Sequence, residues 1–406
     1  MKQIEGGVTA AKGYKAAGVF AGIRRKKNDM AMIYSEVPCK VAGTFTTNII
    51  KAAPVKWDMK VVKESSFVQA VVVNSGVANA CTGKQGLIYC EDMASTAGEC
   101  LGIPKDAVLV ASTGVIGKQI PMDKINVGIH DLVPNLGDSL EHGILAAEAI
   151  MTTDTKKKEI ALKIELGGKE VTIGAMGKGS GMIHPNMCTM LSFIATDAAI
   201  SKELLQEALS KDVDITYNMI SVDGDTSTND TVILLANGLA ENAEITEKNE
   251  DYYKFSEALN FINTYLAKRI AEDGEGATSL FEVKVINAET EDQAKTLSKS
   301  IIASNLTKTA IFGNDLNWGR ILCAMGYSGA QFNPDKVDLY FESIIGKIQL
   351  IENGVGLDYD KETATKIISQ PEVTAIADIK MGEAKATAWG CDLTYDYVRI
   401  NASYCS

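Results

Sequence analysis

Gly177-Lys178-Gly179-Ser180-Gly181-Met182-Ile183-His184-Pro185-Asn186-Met187-Cys188-Thr189-Met190-Leu191 is the most unusual stretch of this sequence. Three glycines within Gly177–Gly181 let the backbone turn sharply and present its amides. A lysine sits among them. The loop then runs into the apolar segment Leu191 to Ala195, which predicts a strand. Thr189 therefore lies at a loop-to-strand junction, where a strained peptide bond can be held next to catalytic groups. A phosphate-binding loop would need G-x-x-x-x-G-K-[ST]. Here Thr172 occupies the first glycine position and Gly179 follows the lysine, so that pattern fails twice. A plain glycine-rich turn between strands is the other local reading.

On the N-terminal side, Glu159 to Leu166 and Lys169 to Gly174 alternate apolar and polar residues around Gly167-Gly168, a hairpin signal. Farther upstream, Val68 to Val73 ends in Asn74-Ser75-Gly76, and Ala107 to Ala111 runs into Ser112-Thr113-Gly114. Both predict buried strands that feed glycine-containing loops. On the C-terminal side, Ser201 is placed to cap a helix from Lys202 to about Lys211. Phe255, Leu259, Ile262, Leu266 and Ile270 recur at helical spacing and form one apolar stripe, and Gly274 sits where that helix must stop. Phe281, Val283 and Val285 alternate with charged residues as a strand, and Glu291 to Ser304 predicts a further helix. A soft domain boundary falls near residue 282. Alternating helix and strand signals predict a layered α/β or α+β fold.

Length and composition narrow the function. The 406 residues suffice for two domains or one large intertwined one. A net charge of −12 repels nucleic acid and anionic membranes, so neither is expected as a partner. No stretch is long and apolar enough to span a bilayer, and the start, Met1 to Gly7, lacks the apolar core of a signal peptide. The expected compartment is the cytoplasm. Cysteines at 39, 81, 90, 100, 188, 323, 391 and 405 form no C-x-x-C pair and predict reduced, mostly buried thiols. The histidines, His130, His142 and His184, are not at metal-ligand spacing, and no metal site is expected. A Ser-His-Asp triad is short of candidates, since only His184 lies near the glycine-rich loop.

Three more segments carry chemical potential. Ser112-Thr113-Gly114-Val115-Ile116-Gly117 follows a strand, where amides and a hydroxyl can form an oxyanion hole or merely a capped turn. Ser221 to Asp230 places Asp223, Asp225, Ser227 and Asn229 at alternate positions, like a calcium loop. The required glycine is Thr228 and the closing glutamate is Leu234, so a polar loop packed near an active site fits better. Glu275, in Gly274-Glu275-Gly276-Ala277-Thr278, can face a cleft from a helix exit or stand as a solvated surface acid.

Taken together, these segments resemble the ornithine acetyltransferase family, also called bifunctional glutamate N-acetyltransferase. Lys178 to Leu191 follows its K-G-x-G-M-I-x-P-x-M-A-T-M-L hallmark, with Cys188 for the usual alanine. Asn74 to Gly83 follows its N-S-G-N-A-N-A-C-T-G pattern, with Val77 for an asparagine. Gly6 to Ala10, Ser112 to Gly117, Ile150 to Thr155, Ser221 to Asp230, Glu275 to Thr278 and the ending Asn401 to Ser406 also match. So does Phe312 to Arg320, with Leu316 for a proline. The resemblance covers essentially the whole chain.

The resemblance implies an α/β layered sandwich similar to the N-terminal nucleophile hydrolases, with a catalytic core over 1–281 and a smaller α/β domain over 282–406. It implies self-cleavage between Cys188 and Thr189, giving mature chains 1–188 and 189–406 that stay together, usually two of each. Thr189 is then the nucleophile. Thr113 and Gly114 form the oxyanion hole, and Thr152, Lys178, Thr189, Glu275, Asn401 and Ser406 contact substrate. The implied reaction moves acetyl from N-acetylornithine to glutamate by a ping-pong route. No cofactor is implied, although some members take acetyl-CoA as a donor and no residue decides that here.

This chemistry suits the residues. A threonine hydroxyl is a weak nucleophile unless a base takes its proton, and at a chain start the residue's own α-amine, with a reference pKa of roughly 7.7–8.0, can do so. Before the cut, Thr189 Oγ would attack the Cys188 carbonyl, and the resulting ester would hydrolyse. Both substrates carry an α-carboxylate but opposite side-chain charges. Lys178 suits a carboxylate and Glu275 an ammonium group. Two rivals stand beside this reading: an N-terminal-threonine amidase or aminopeptidase, which passes the acyl group to water, and a non-enzymatic binding protein, which would not cut itself.

Overall fold

The computed structural model describes residues 1–184 and 190–403. In chain order they form β1 (Lys2–Ile4), β2 (Tyr14–Val19), β3 (Met30–Phe45), α1 (Ala53–Glu64), β4 (Val68–Val77), α2 (Gly83–Leu101), β5 (Val108–Val115), α3 (Met122–Leu132), α4 (Leu140–Ala149), β6 (Lys158–Leu166) and β7 (Lys169–Lys178). There follow β8 (Leu191–Thr196), α5 (Lys202–Ile215), β9 (Ile220–Ser221), β10 (Thr231–Ala236), α6 (Glu250–Glu272), β11 (Leu280–Ala288), α7 (Glu291–Ala303), α8 (Asn305–Phe312) and α9 (Trp318–Gly326). The chain closes with β12 (Asp338–Ser343), β13 (Gly346–Glu352), β14 (Val355–Gly356), α10 (Lys361–Ile368), β15 (Glu372–Asp378), β16 (Ala384–Cys391) and α11 (Tyr395–Ala402).

The chain divides into two compact units. The first holds Met1–Gly179, the chain through β8 and α5 to Tyr217, and Thr226–Leu266. The second holds Ser180 to His184, Asn218–Asp225 and the chain from Ala267 onward. The boundary read near residue 282 falls inside the second unit, which takes up the chain at Ala267, within α6.

In the first unit the strands run β1-β6-β7-β8-β10-β3-β4-β5, with β2 also paired to β3. Strand β3 is 16 residues long and serves both halves of the sheet. Its N-terminal part pairs with β2 and β4, and Lys40–Phe45 pairs with β10. Leu191, Phe193 and Ala195 of β8 join Ile233 and Leu235 of β10 in a core shared with Met30, Met32, Val71 and Val73. Strand alternation turns the equally buried Ile194, Val232 and Leu234 to the opposite face. Helix α5 packs on β3, whereas α1 and α2, which cover β5, and α4, which covers β2, contribute Trp57, Met93 and Ala146 to the shared core. The result is the layered α/β architecture that the sequence predicts.

Local signals were mostly well matched. The β6–β7 hairpin closes with Leu166 opposite Lys169. Ser201 Oγ accepts the Leu204 amide at 3.4 Å, and α5 runs one turn past its predicted end. The apolar stripe of α6 is fully buried, each of its five residues showing 0% exposure. Glu282, between Phe281 and Val283, is buried, ion-paired with Lys268 and Lys284, and accepts Trp389 Nε1–H at 2.6 Å. Two expectations needed correction. The strands ahead of Asn74 and Ser112 do not give way to loops there: β4 continues to Val77 and β5 to Val115, paired with each other. Of the described cysteines, Cys39, Cys90 and Cys391 are buried, but Cys81 and Cys323 are exposed and Cys100 lies between.

The second unit's sheet runs β14-β13-β12-β15-β11-β16-β9. Strand β11 pairs parallel with β15 and antiparallel with β16, and α7 packs across β11 and β16. No helix among the described residues is long and apolar enough to cross a membrane.

Candidate active site

In the first unit the sheet presents the end of β7 beside the start of β8, with Lys178 directly opposite Leu191. Lys178 is 7% exposed, a costly place for an ammonium group without an anion. Its anion is Asp154, whose Oδ2 lies 3.8 Å from Lys178 Nζ. Asp154 Oδ1 accepts from Lys158 Nζ at 2.8 Å and from the Gly179 amide at 2.7 Å, and Oδ2 accepts from the Thr152 amide at 3.0 Å. Burial alone would push this carboxyl up, but Lys178 and Lys158 outweigh it and hold Asp154 below the usual carboxylate range. One carboxylate thus fixes Thr152, Lys178 and the first turn of the glycine-rich loop. Arg24 holds the same segment from outside by donating to the carbonyls of Met151 and Thr152.

Thr113 and Gly114 sit at the paired ends of β4 and β5, where Ser75 faces Thr113 and Gly76 faces Gly114. Gly114 has φ +134°, and a Cβ there would lie 2.3 Å from the Gly76 carbonyl carbon. Only glycine permits both the conformation and this approach. Asn229 braces the same end, donating from Nδ2 to the carbonyls of Ala78 at 2.6 Å and Ser112 at 2.8 Å. Its own Oδ1 accepts from Thr228 Oγ1 at 2.7 Å. The backbone beside Thr113 is therefore held from two directions.

In the second unit Glu275 is buried at 7% exposure rather than solvated. Its Oε2 accepts from Asn401 Nδ2 at 2.7 Å, and its amide donates to the Ser180 carbonyl at 3.1 Å. A Cβ on Gly181 would lie 2.4 Å from the Glu275 carboxyl carbon, so the loop backbone rests directly on that acid. Asp223 anchors the next residues, accepting the amides of Met182 at 2.6 Å and Ile183 at 2.8 Å. Burial and the nearby Asp223 and Glu275 carboxylates push the Tyr397 phenol well above its ordinary range. His184 Nδ1 and Ser221 Oγ are 3.0 Å apart, but Ser221 is fully buried on β9 and is no accessible nucleophile.

The structure thus joins Lys178 to Thr152 through Asp154, and Glu275 to Asn401. Thr189, Cys188 and Ser406 lie outside the described residues. Sequence reading gave no role to Asp154, Asn229 or Asp223. The latter two belong to the segment read as a polar loop packed near an active site; Asp223 accepts backbone amides, and the Asn229 amide group donates to backbone carbonyls. A buried acid between two lysines leaves no sequence signal, because its partners lie on other elements.

A model of the ArgJ family matches residues 15–406. An arginine biosynthesis bifunctional protein ArgJ of Thermotoga neapolitana is 54% identical over 394 residues, 97% of this chain and 98% of that protein. One of Caldanaerobacter subterraneus subsp. tengcongensis is 52% identical over 404 residues, covering 100% of both. Among solved structures, the ornithine acetyltransferase of Mycobacterium tuberculosis complexed with ornithine is 38% identical, with a TM-score of 0.43 over 47% of this chain and 98% of that one. On the length and identity of these matches, the chain belongs to the ArgJ family.

Proposed function

We propose that this chain is an acyltransferase of arginine biosynthesis that moves an acetyl group from N-acetylornithine to glutamate. Membership of a family whose members are named arginine biosynthesis bifunctional proteins, together with the Lys178–Leu191 motif, which departs from the hallmark only in Cys188 for alanine, carries this reading. In it the chain cuts itself between Cys188 and Thr189. Thr189 Oγ attacks the Cys188 carbonyl, the peptide nitrogen leaves as the new α-amine, and water hydrolyses the ester. In turnover that amine takes the Thr189 hydroxyl proton, Oγ attacks the N-acetyl carbonyl, and ornithine departs carrying the proton. Glutamate's amine then attacks the acetyl ester and restores the hydroxyl.

The geometry supports assigned roles. The braced β5 end at Thr113 and Gly114 offers fixed donors to the developing oxyanion, where losing one such donor costs about 10²–10³ in turnover. Buried Lys178 is the group for a substrate carboxylate, with Thr152 beside it on the Asp154 anchor. Buried Glu275, oriented by Asn401, is the group for a substrate ammonium, and Ser406 completes the contact set. An acetyl-CoA-dependent assay of glutamate acetylation decides whether acetyl-CoA is also a donor. The mature protein holds two copies of each fragment.

Mass spectrometry of denatured protein tests this directly. The expected result is two fragments, the second beginning at Thr189, while Thr189→Ala stays as one chain. N-acetylornithine alone should load acetyl on the second fragment, and glutamate should discharge it far faster than water does. Discharge at the same rate without glutamate would make the protein a hydrolase. A wild-type chain that stays whole yet transfers acetyl would sink the nucleophile assignment.

A further inference from the structure

Strand β8 carries a polar side chain where an apolar one would pack better. Ser192 is fully buried on the face opposite Leu191 and Phe193, between Gly177 of β7 and Val232 of β10. Its hydroxyl lies 2.9 Å from the phenol oxygen of Tyr217. The Tyr217 O–H donates to Asn263 Oδ1 on α6 at 3.1 Å. A phenol has one hydrogen, so Ser192 is the donor in the first bond. Asn263 Nδ2 donates onward to Asp212 Oδ2 on α5 at 2.5 Å, and Asn260 Nδ2 donates to Asp212 Oδ1 at 2.7 Å. Every donor from Ser192 inward therefore points toward one carboxylate. Ser192, Tyr217 and Asn263 show no exposure and Asp212 only 5%.

Such a chain is expensive. Burying a hydroxyl, a phenol, an amide and a carboxylate costs more than filling the same space with Val and Leu. Burial pushes Asp212 up to about 6, and the two amides oppose that shift, so the anion that the donors need predominates at neutral pH. What the chain gives in return is geometry: bonds aligned in one direction reinforce one another and fix one arrangement of α5, α6 and the strand entry.

We propose that Tyr217, backed by Asn263 and Asp212, is a positioning residue that holds the first residues of β8 for acyl chemistry at the residue leading into that strand. This rests on the assignment of Thr189 as nucleophile, three positions before Ser192 in the sequence. The anchor acts through the strand and touches no substrate. It sets kcat and leaves substrate binding alone.

Tyr217→Phe removes a single oxygen from the middle of the chain and keeps its shape. Self-cleavage and acetyl transfer are followed in the full-length protein below its melting temperature. The expected outcome is a slower cut and a kcat lowered by about 10-fold or more, as small misplacements of reacting groups produce. KM for N-acetylornithine should stay within about two-fold. Ser192→Ala should do the same, and the double variant should be no slower than the slower single one, because both remove links of one chain. If Tyr217→Phe melts too early to assay, Ser192→Ala alone gives the same reading. An active parent with kcat in either variant within about two-fold of it overturns the positioning alone, as do losses that multiply in the double variant. A parent that neither cleaves nor transfers acetyl overturns the nucleophile assignment and the positioning with it.

Discussion

Asp154 holds two buried lysines and two backbone amides on one carboxylate. Asp154→Asn keeps the shape and leaves the Lys158 and Lys178 ammonium groups without that anion. Breaking a buried pair in this way costs about 3–5 kcal/mol. The pH dependence has a definite sign. Asp154's folded pKa is depressed, so its contribution is fully present above the unfolded value of about 3.9 and is lost as pH falls through that value toward the folded one. Urea unfolding of the parent should therefore weaken between about pH 5 and pH 2 more steeply than unfolding of Asp154→Asn. Equal slopes would mean that the pairing contributes nothing to stability. In the sequence Asp154 is one residue of the Ile150–Thr155 match and carries no signal of its own, whereas Lys178 stands out because it sits inside a distinctive motif.

The end of β5 shows how elements place a site. Periodicity revealed the strand, since Val108 to Ala111 is an unbroken apolar run. It did not reveal that pairing with β4 carries on through Gly114, because that depends on Gly76 across the ladder. Nor did it reveal that the Ser221–Asp230 segment divides, Asp223 holding the glycine-rich loop while Asn229 holds β5. Loops make their bonds to distant chain, and a linear pattern carries no record of them. Asn229→Leu keeps the branched shape with greater bulk and removes the bonds that Asn229 donates to the carbonyls of Ala78 and Ser112. The expected costs are about 1–3 kcal/mol for each carbonyl and, with the oxyanion hole at Thr113 and Gly114 as proposed, a turnover lowered by roughly 10–10²-fold as those donors shift. Melting and kcat measured together check it. Unchanged kcat in a destabilised Asn229→Leu protein would show that β5 tolerates movement there.

At the scale of the molecule, the sheet order β7-β8-β10-β3 interleaves chain from both sides of Thr189. Strands β7 and β3 precede that residue, whereas β8 and β10 follow it. With cleavage as proposed, the two fragments remain joined by ladders along both flanks of the β8–β10 pair. They should co-elute at high dilution and part only in denaturant. Separation by dilution alone, read from size-exclusion profiles over a wide concentration range, would contradict this. The interleaving also bears on how the protein can be made. A chain ending at residue 188 leaves β7 and β3 with unsatisfied edges that invite pairing with other molecules. One continuous polypeptide delivers β8 and β10 to those edges by tether, at an effective concentration that a separately translated fragment does not reach. With cleavage as proposed, the sheet order favours synthesis as a single precursor that is cut only after these strands have met.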